Sequence, residues 1–367
     1  MGGPHDGIEG IEGAEGLEGI DSPTRAEAHV KAAMIAGAWR TSLGANVPDV
    51  IGRIRAGDRA TLADARGYAC TTIAPITIEP ARSRNSRFLR RMGLFGLEAA
   101  SEALAASGVR GGSRVGLFSG VGGLRAHWDD MIAAFADQRE DGERMWERGL
   151  ASVHPYWMLR HLSNNVHALA SAELDLRGEG ATFGGGNGGA QAMASATRAL
   201  NAGAIDAALV VAYDSLLEPE TLVELGARNW PAQGLVPGEA AAALVLVRVD
   251  AAGADATRVD AEGADAMRVD ATRADDQRRT DTAARAYPPR VSVRDAAGRD
   301  ALARCSAAIG DGDRDAYVVI AQALGQLGAA TALVQAIALA ELRVPVAIGL
   351  HSAAPELASA VRVEVSA

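Results

Sequence analysis

Aromatic residues are scarce in this 367-residue chain, at 4% of the total, so its core cannot be built on large ring clusters. Small side chains must fill it instead: 48% of residues are apolar and 42 are Gly. Cysteine is nearly absent. Cys70 and Cys305 stand far apart and outside any CxxC or Cys/His spacing. That excludes a disulfide framework and a typical zinc site, and fits a reducing cytoplasm. Long apolar runs are missing too. Ala240–Val247 is too short to span a bilayer, and Gly328–Leu342 is broken by Gln335 and Glu341. No basic region followed by an apolar one opens the chain, so no secretory signal is expected. The reading is a soluble, cytoplasmic protein with no membrane partner. Positive charge is also in deficit. A net charge of −10 argues against a nucleic-acid partner, which would need a basic face. Seven acids (Asp6, Glu9, Glu12, Glu15, Glu18, Asp21, Glu27) stand against Arg25 within residues 1–29, a local net of −6. The acidity therefore describes a tail more than a body.

The length suits two ordinary domains or one large duplicated one. Residues 1–29 repeat a Gly every third position with interleaved acids, a composition that cannot offset its ordering entropy by burial and predicts disorder. Residues 30–248 read as a long body. Residues 249–286 begin with three copies of a ten-residue unit (VDAAGADATR, VDAEGADAMR, VDATRADDQR), read as an exposed low-complexity loop. Residues 287–367 form a short second body. Within the first body, Ala33–Ala38 reads as a strand, Ser42–Gly44 as a turn and Pro48–Ala56 as a helix. Arg90–Ala106 has apolar residues at helical spacing and stops at Gly108. Ser113–Ser119 reads as a strand ending in Gly120–Gly123. A helix over Asn187–Asn201 precedes a strand over Ala207–Tyr213. This alternation predicts an α/β layered fold with a largely parallel sheet.

The most unusual segment is GEGATFGGGNGGAQAM (Gly178–Met193), a glycine-dense turn leading into a helix. A helix N-terminus offers unpaired N–H groups and partial positive charge, as anion and nucleophile sites require. One reading is dinucleotide binding, since Gly184, Gly186 and Gly189 satisfy GxGxxG and Asp214 closes the next strand. The expected preceding strand, Leu174–Phe183, carries Asp175, Arg177 and Glu179, which suits a buried central strand poorly. Another keeps an active site by substitution, through His154, His161, His167, Asp214 or His351. A lone His is more often structural than catalytic.

A third reading rests on several segments in order. MIAGAWRTSLG (Met34–Gly44), RFLRRMGLFGLEAASEALAASGV (Arg87–Val109) and RVGLFSGVGG (Arg114–Gly123) resemble successive elements of the β-ketoacyl synthases. HPYWMLRHLSNNVHALASAELDLRGEG (His154–Gly180), GAIDAALVVAYDS (Gly203–Ser215) and PGEAAAALVLV (Pro237–Val247) continue the resemblance. It implies the thiolase-like fold, an α/β arrangement of αβαβα layers, here with an abbreviated C-terminal half.

The resemblance also implies what is missing. The family's nucleophilic Cys stands at this helix N-terminus, where the dipole and N–H groups assist it. Counting from Arg177 puts that position at Asn187, and counting back from Gly203 puts it at Gly186. IAQALGQLGAAT (Ile320–Thr331) resembles the stretch carrying the family's Lys and His, with Ile320 at the Lys position and Gly325 at the His position. The His-Gly-Thr stretch is absent, since the strand expected over Tyr317–Ile320 runs directly into that helix. Without nucleophile, base or Lys the chain has no condensation chemistry of its own, and no metal or other cofactor is implied. Family members are dimers, and the resemblance places Tyr156 and Trp157 at the dimer interface and acyl tunnel, with Phe183 and Met193 as further tunnel positions. The implied role is that of a chain-length factor in a heterodimer with a catalytic ketosynthase, meeting acyl carrier protein through the complex. The competing role is a homodimeric scaffold or acyl-binding protein.

Overall fold

The computed structural model describes residues 32–65, 67–68, 72–122, 153–249, 288–354 and 357–365. The acidic segment 1–29, nearly all of the repeat 249–286, Cys70 and Gly123 lie outside the described residues. Strand β1 (Ala32–Arg40) is followed by helix α1 (Val47–Arg55). Asn46 starts α1 by accepting a hydrogen bond from the Asp49 amide at 3.0 Å, and Pro48 tolerates the first turn, where no N–H partner is lost. A short pair, β2 (Ala63–Asp64) and β3 (Thr72–Ile73), and a 3-10 turn (Arg84–Arg87) lead to α2 (Arg91–Ser107), which ends at left-handed Gly108. Then come β4 (Val115–Val121), the short α3 (Trp157–Arg160), α4 (Asn165–Glu173) and β5 (Gly180–Gly184). Next are α5 (Gly188–Asn201), β6 (Ala207–Ser215), α6 (Pro219–Ala227) and β7 (Glu239–Arg248). The second body holds β8 (Arg290–Ala297), α7 (Ala301–Ile309), α8 (Asp315–Leu324), a 3-10 turn (Gly328–Ala330), α9 (Thr331–Leu342), β9 (Val346–Ala354) and β10 (Leu357–Glu364).

The strands run in the order β5-β4-β6-β7-β1-β8-β10-β9. Only a two-residue contact, Ala32 with Val291 and Ala33 with Arg290, joins β1 to β8. The sheet therefore comprises a five-strand part and a three-strand part. Helices α5 and α9 lie between the two parts: α5 packs on β4, β6 and β8, and α9 on β7, β9 and β10. Outside them, α2 and α4 cover the first part and α7 covers the second. Alternate residues of β6 divide between layers, with Ala208, Val210 and Ala212 facing the central helices and Ala207, Leu209 and Val211 facing α2. The period of two is the strand's own geometry. This is the αβαβα layering of the thiolase-like fold, with three strands in the second half against five in the first.

Two expectations need correction. The sheet is mixed rather than largely parallel: β4 is parallel to β5 and β6, and all other neighbouring pairs are antiparallel. A run such as AAAALVLV in β7 is buried on both faces in either direction, so burial does not encode strand direction. The strand expected over Tyr317–Ile320 is instead part of α8. Its apolar run is too short to separate strand from helix, and the buried set Ile320, Ala323, Leu324 follows helical spacing while Val318 and Val319 are exposed.

Candidate functional site

The glycine-rich turn predicted to carry chemistry sits at the N-terminus of α5, after edge strand β5. Gly185 turns the chain at φ +105°, and Asn187 is the N-cap of α5, buried to 4% exposure. The Asn187 side chain does not cap the helix. Its Oδ1 accepts from Gln191 Nε2 at 3.3 Å, one turn further along. The first turn is pressed between two backbones. A Cβ on Gly120 of β4 would lie 2.4 Å from the Gly189 nitrogen, and one on Gly189 would lie 2.2 Å from the Ala329 carbonyl. Only glycine permits both approaches, so the turn is fixed by packing and not by a side-chain cap.

The segment expected at the Lys and His positions runs through α8 and the turn after it. Ile320 is buried at 2% exposure in the central apolar cluster. Gly325 ends α8 at φ +81° and ψ −170°, a conformation that only glycine adopts readily. A Cβ there would stand 2.9 Å from the Val236 carbonyl. Beside Gly325 opens a cavity of about 420 Å³ with Arg59, Tyr317, Gln322 and Gln326 among its walls. Asp214, at the end of β6, is also committed: its buried carboxylate accepts from the Ala329 amide at 2.9 Å.

The dinucleotide layout is not met. Gly184 ends an edge strand rather than a central one, and the Asp214 carboxylate is directed at a backbone amide of the 3-10 turn. The upstream histidines each have local roles. His154 Nδ1 accepts from the Tyr156 amide at 3.1 Å, His161 stacks on Trp157 with centroids 4.7 Å apart, and His167 Nδ1 lies 3.0 Å from Ser119 Oγ. Burial lowers the pKa of His167.

His351 differs from these. It lies on β9, wholly buried, with its ring near the backbone of Gly186. Desolvation lowers its pKa to about 4, partly opposed by the Gly186 backbone, which favours the protonated form. Neither ring nitrogen makes a hydrogen bond of ordinary geometry, and the same holds for Ser359 Oγ, on the residue directly opposite in β10. A neutral imidazole thus sits beside the glycine-rich turn. Its place there depends on strand pairing 165 positions downstream of Gly186, which no local spacing reveals.

Tyr156 is 40% exposed and meets Phe88 edge-on with centroids 5.2 Å apart. Trp157 opens α3, half-buried against His161. Phe183 is half-buried on β5, and Met193 is buried in the central cluster beneath the α5 turn. Among the described residues there is no helix long and apolar enough to cross a membrane, and no group of three His, Cys, Asp or Glu placed to hold a metal ion.

Residues 77–252 match the sequence profile described as β-ketoacyl synthase, N-terminal domain. Among solved structures, a type II polyketide ketosynthase in complex with its acyl-carrier protein, bound to the hexaketide, is similar at 13% identity with a TM-score of 0.63, over 92% of this chain and 99% of that one. A β-ketoacyl synthase from Burkholderia phymatum STM815 gives 14% identity and a TM-score of 0.63, over 92% and 100%. The ishigamide ketosynthase/chain length factor gives 15% and 0.59, over 92% and 100%. No curated protein matches the chain at the sequence level.

Proposed function

We propose that the chain, whose residues 77–252 match the β-ketoacyl synthase N-terminal domain profile, is a non-catalytic ketosynthase-like subunit of fatty acid or polyketide-type synthesis. It pairs with an active 3-oxoacyl synthase, shapes that partner's acyl tunnel, and meets acyl carrier protein through the complex. The observation that carries this reading is Gly325. Its backbone angles and the Val236 carbonyl 2.9 Å from a Cβ exclude any side chain without rearrangement. Supporting it, Ile320 is core, and neither Asn187 nor Gly186 offers a nucleophile at the α5 turn. Condensation needs a group to accept the acyl chain and a base or donor to decarboxylate the extender; in this reading both belong to the partner.

Two surface features support pairing. Among the described residues, strand β5 is a sheet edge with no strand paired on its outer side, the kind of edge another chain's strand can extend. Tyr156 presents a large ring at the surface in a chain poor in aromatics, and Trp157 lies directly beside it. Co-expression with a ketosynthase encoded nearby tests the reading. The expected outcome is a 1:1 complex that condenses acyl and malonyl groups, while the chain alone does not. A self-sufficient homodimer that ignores every ketosynthase would instead support the scaffold role.

A further inference from the structure

Two features of the chain complement one another. The first is in the sequence. Gly7–Asp21 consists of five unbroken triplets of Gly, apolar residue and acid, with Ile8, Ile11, Ala14, Leu17 and Ile20 followed each time by Glu9, Glu12, Glu15, Glu18 and Asp21. In an extended chain with three residues per turn, this period sets the acids along one edge and the apolar side chains along another.

The second is a surface. Arg82, Arg84 and Arg87 are exposed in and beside the 3-10 turn at Arg84–Arg87, and the Arg84 side chain stays 79% exposed while paired with Glu173. The Phe88–Tyr156 ring contact joins this turn to α3. There Met158, Leu159 and Leu162 are 67%, 44% and 45% exposed, a dense apolar patch for so short a stretch. Arg90, Arg160 and Leu162 line one cleft of about 70 Å³ at its centre. Cations thus border exposed aliphatic side chains on one face.

We propose that this face is the docking site of the chain's own Gly7–Asp21 segment, its acids on the arginines and its aliphatic side chains on Met158, Leu159 and Leu162. Charge complementarity and reach both favour that occupant. β1 and β6 run in the same direction, since both are antiparallel to β7, so Ala32 lies at the sheet end where β6 begins. The cleft lies at the other end, where β4 and β6 finish at Val121 and Tyr213–Ser215. The separation is about 32 Å, from a nine-residue strand about 30 Å long and two strand spacings of about 5 Å each. The eleven steps from Asp21 to Ala32 reach about 36–40 Å when fully extended. The segment can reach its site with little slack. Because Tyr156 adjoins the patch, docking would compete with a partner subunit there, but the proposal stands whether or not one exists.

The test is hydrogen exchange on the full chain, comparing wild type with a variant carrying Glu9→Gln, Glu12→Gln, Glu15→Gln and Glu18→Gln. Amides of residues 82–91 and 156–162 are expected to exchange at least about tenfold faster in the variant, and faster in wild type at high salt. A second variant lacking Ser22–Glu27 leaves a reach of about 18 Å, too short for docking within one chain. It should exchange like the first, and adding a synthetic Gly7–Asp21 peptide should restore protection in both. Equal exchange in wild type and the glutamine variant overturns the proposal. Protection that survives the deletion, or that grows with protein concentration, assigns the segment to a second copy and overturns docking within the chain.

Discussion

The carboxylate of Asp214 accepts a hydrogen bond from the amide of Ala329 at 2.9 Å, tying the end of β6 to the turn that starts α9. Both groups are buried, and a Cβ on Gly328 would lie 2.0 Å from the same carboxylate. This contact joins the two halves of the fold beside the α5 turn. Asp214→Ala should destabilise the protein by about 1–3 kcal/mol, the usual cost of stranding a buried backbone donor. Urea unfolding of the two proteins checks it, with Asp214→Asn expected to lose less because its amide oxygen still accepts.

An ion pair secures the outer layer. Arg91 on α2 donates to Glu239 at 2.7 Å and to the Ile76 carbonyl at 2.5 Å, while Glu239 also accepts from the Ile76 amide at 2.8 Å. Glu239 is 3% exposed. Arg91→Ala leaves that carboxylate buried without its cation and should cost about 3–5 kcal/mol. Thermal unfolding reads this directly, and a cost within experimental error would mean that water replaces the arginine.

His351 gives the fold an acid sensitivity. Its folded pKa of about 4 lies below the ordinary 6.5, so between those values the unfolded chain binds the proton more readily. Its contribution to stability is complete above about pH 7 and is lost as pH falls from about 6.5 to about 4. At about 1.4 kcal/mol per pH unit, the move from pH 7.5 to 5.0 should cost about 2 kcal/mol through this residue. The loss in wild type should exceed that in His351→Gln by about this amount. Half-buried His167 acts in the same direction in both proteins and cancels in the comparison.

Much of the first body was legible from sequence. The strand read over Ala33–Ala38 is β1 at Ala32–Arg40, and the helix read over Arg90–Ala106 is α2 at Arg91–Ser107. Glycine at the end of α2 and helical or strand periodicity are local signals, and local signals set these boundaries. The second body was less legible for the same reason. Whether Tyr317–Ile320 is helix or strand depends on which side chains meet the core. The closing of the position at Gly325 depends on the carbonyl of Val236, 89 residues upstream. The glycine-rich turn was legible as the start of α5. The nearness of His351 to Gly186 required the fold.

Placing the Cys, Lys and His that the resemblance implies at Asn187, Ile320 and Gly325 should not give the chain condensation chemistry. The triple change Asn187→Cys, Ile320→Lys and Gly325→His forces a side chain at φ +81° against the Val236 carbonyl and a cation into the apolar cluster. Gly325→His alone should destabilise by at least about 1–3 kcal/mol from backbone strain. A condensation assay on the triple variant should show no product above background, and measurable turnover would mean that the segment rearranges easily.

The most direct test of the central claim is the product length made by a ketosynthase reconstituted with this chain, compared with the same pair carrying Trp157→Ala. If Trp157 walls the shared tunnel, removing the indole should lengthen the products while leaving the complex 1:1. Unchanged products from an intact complex would contradict tunnel shaping. Failure to form any complex would contradict the pairing role itself.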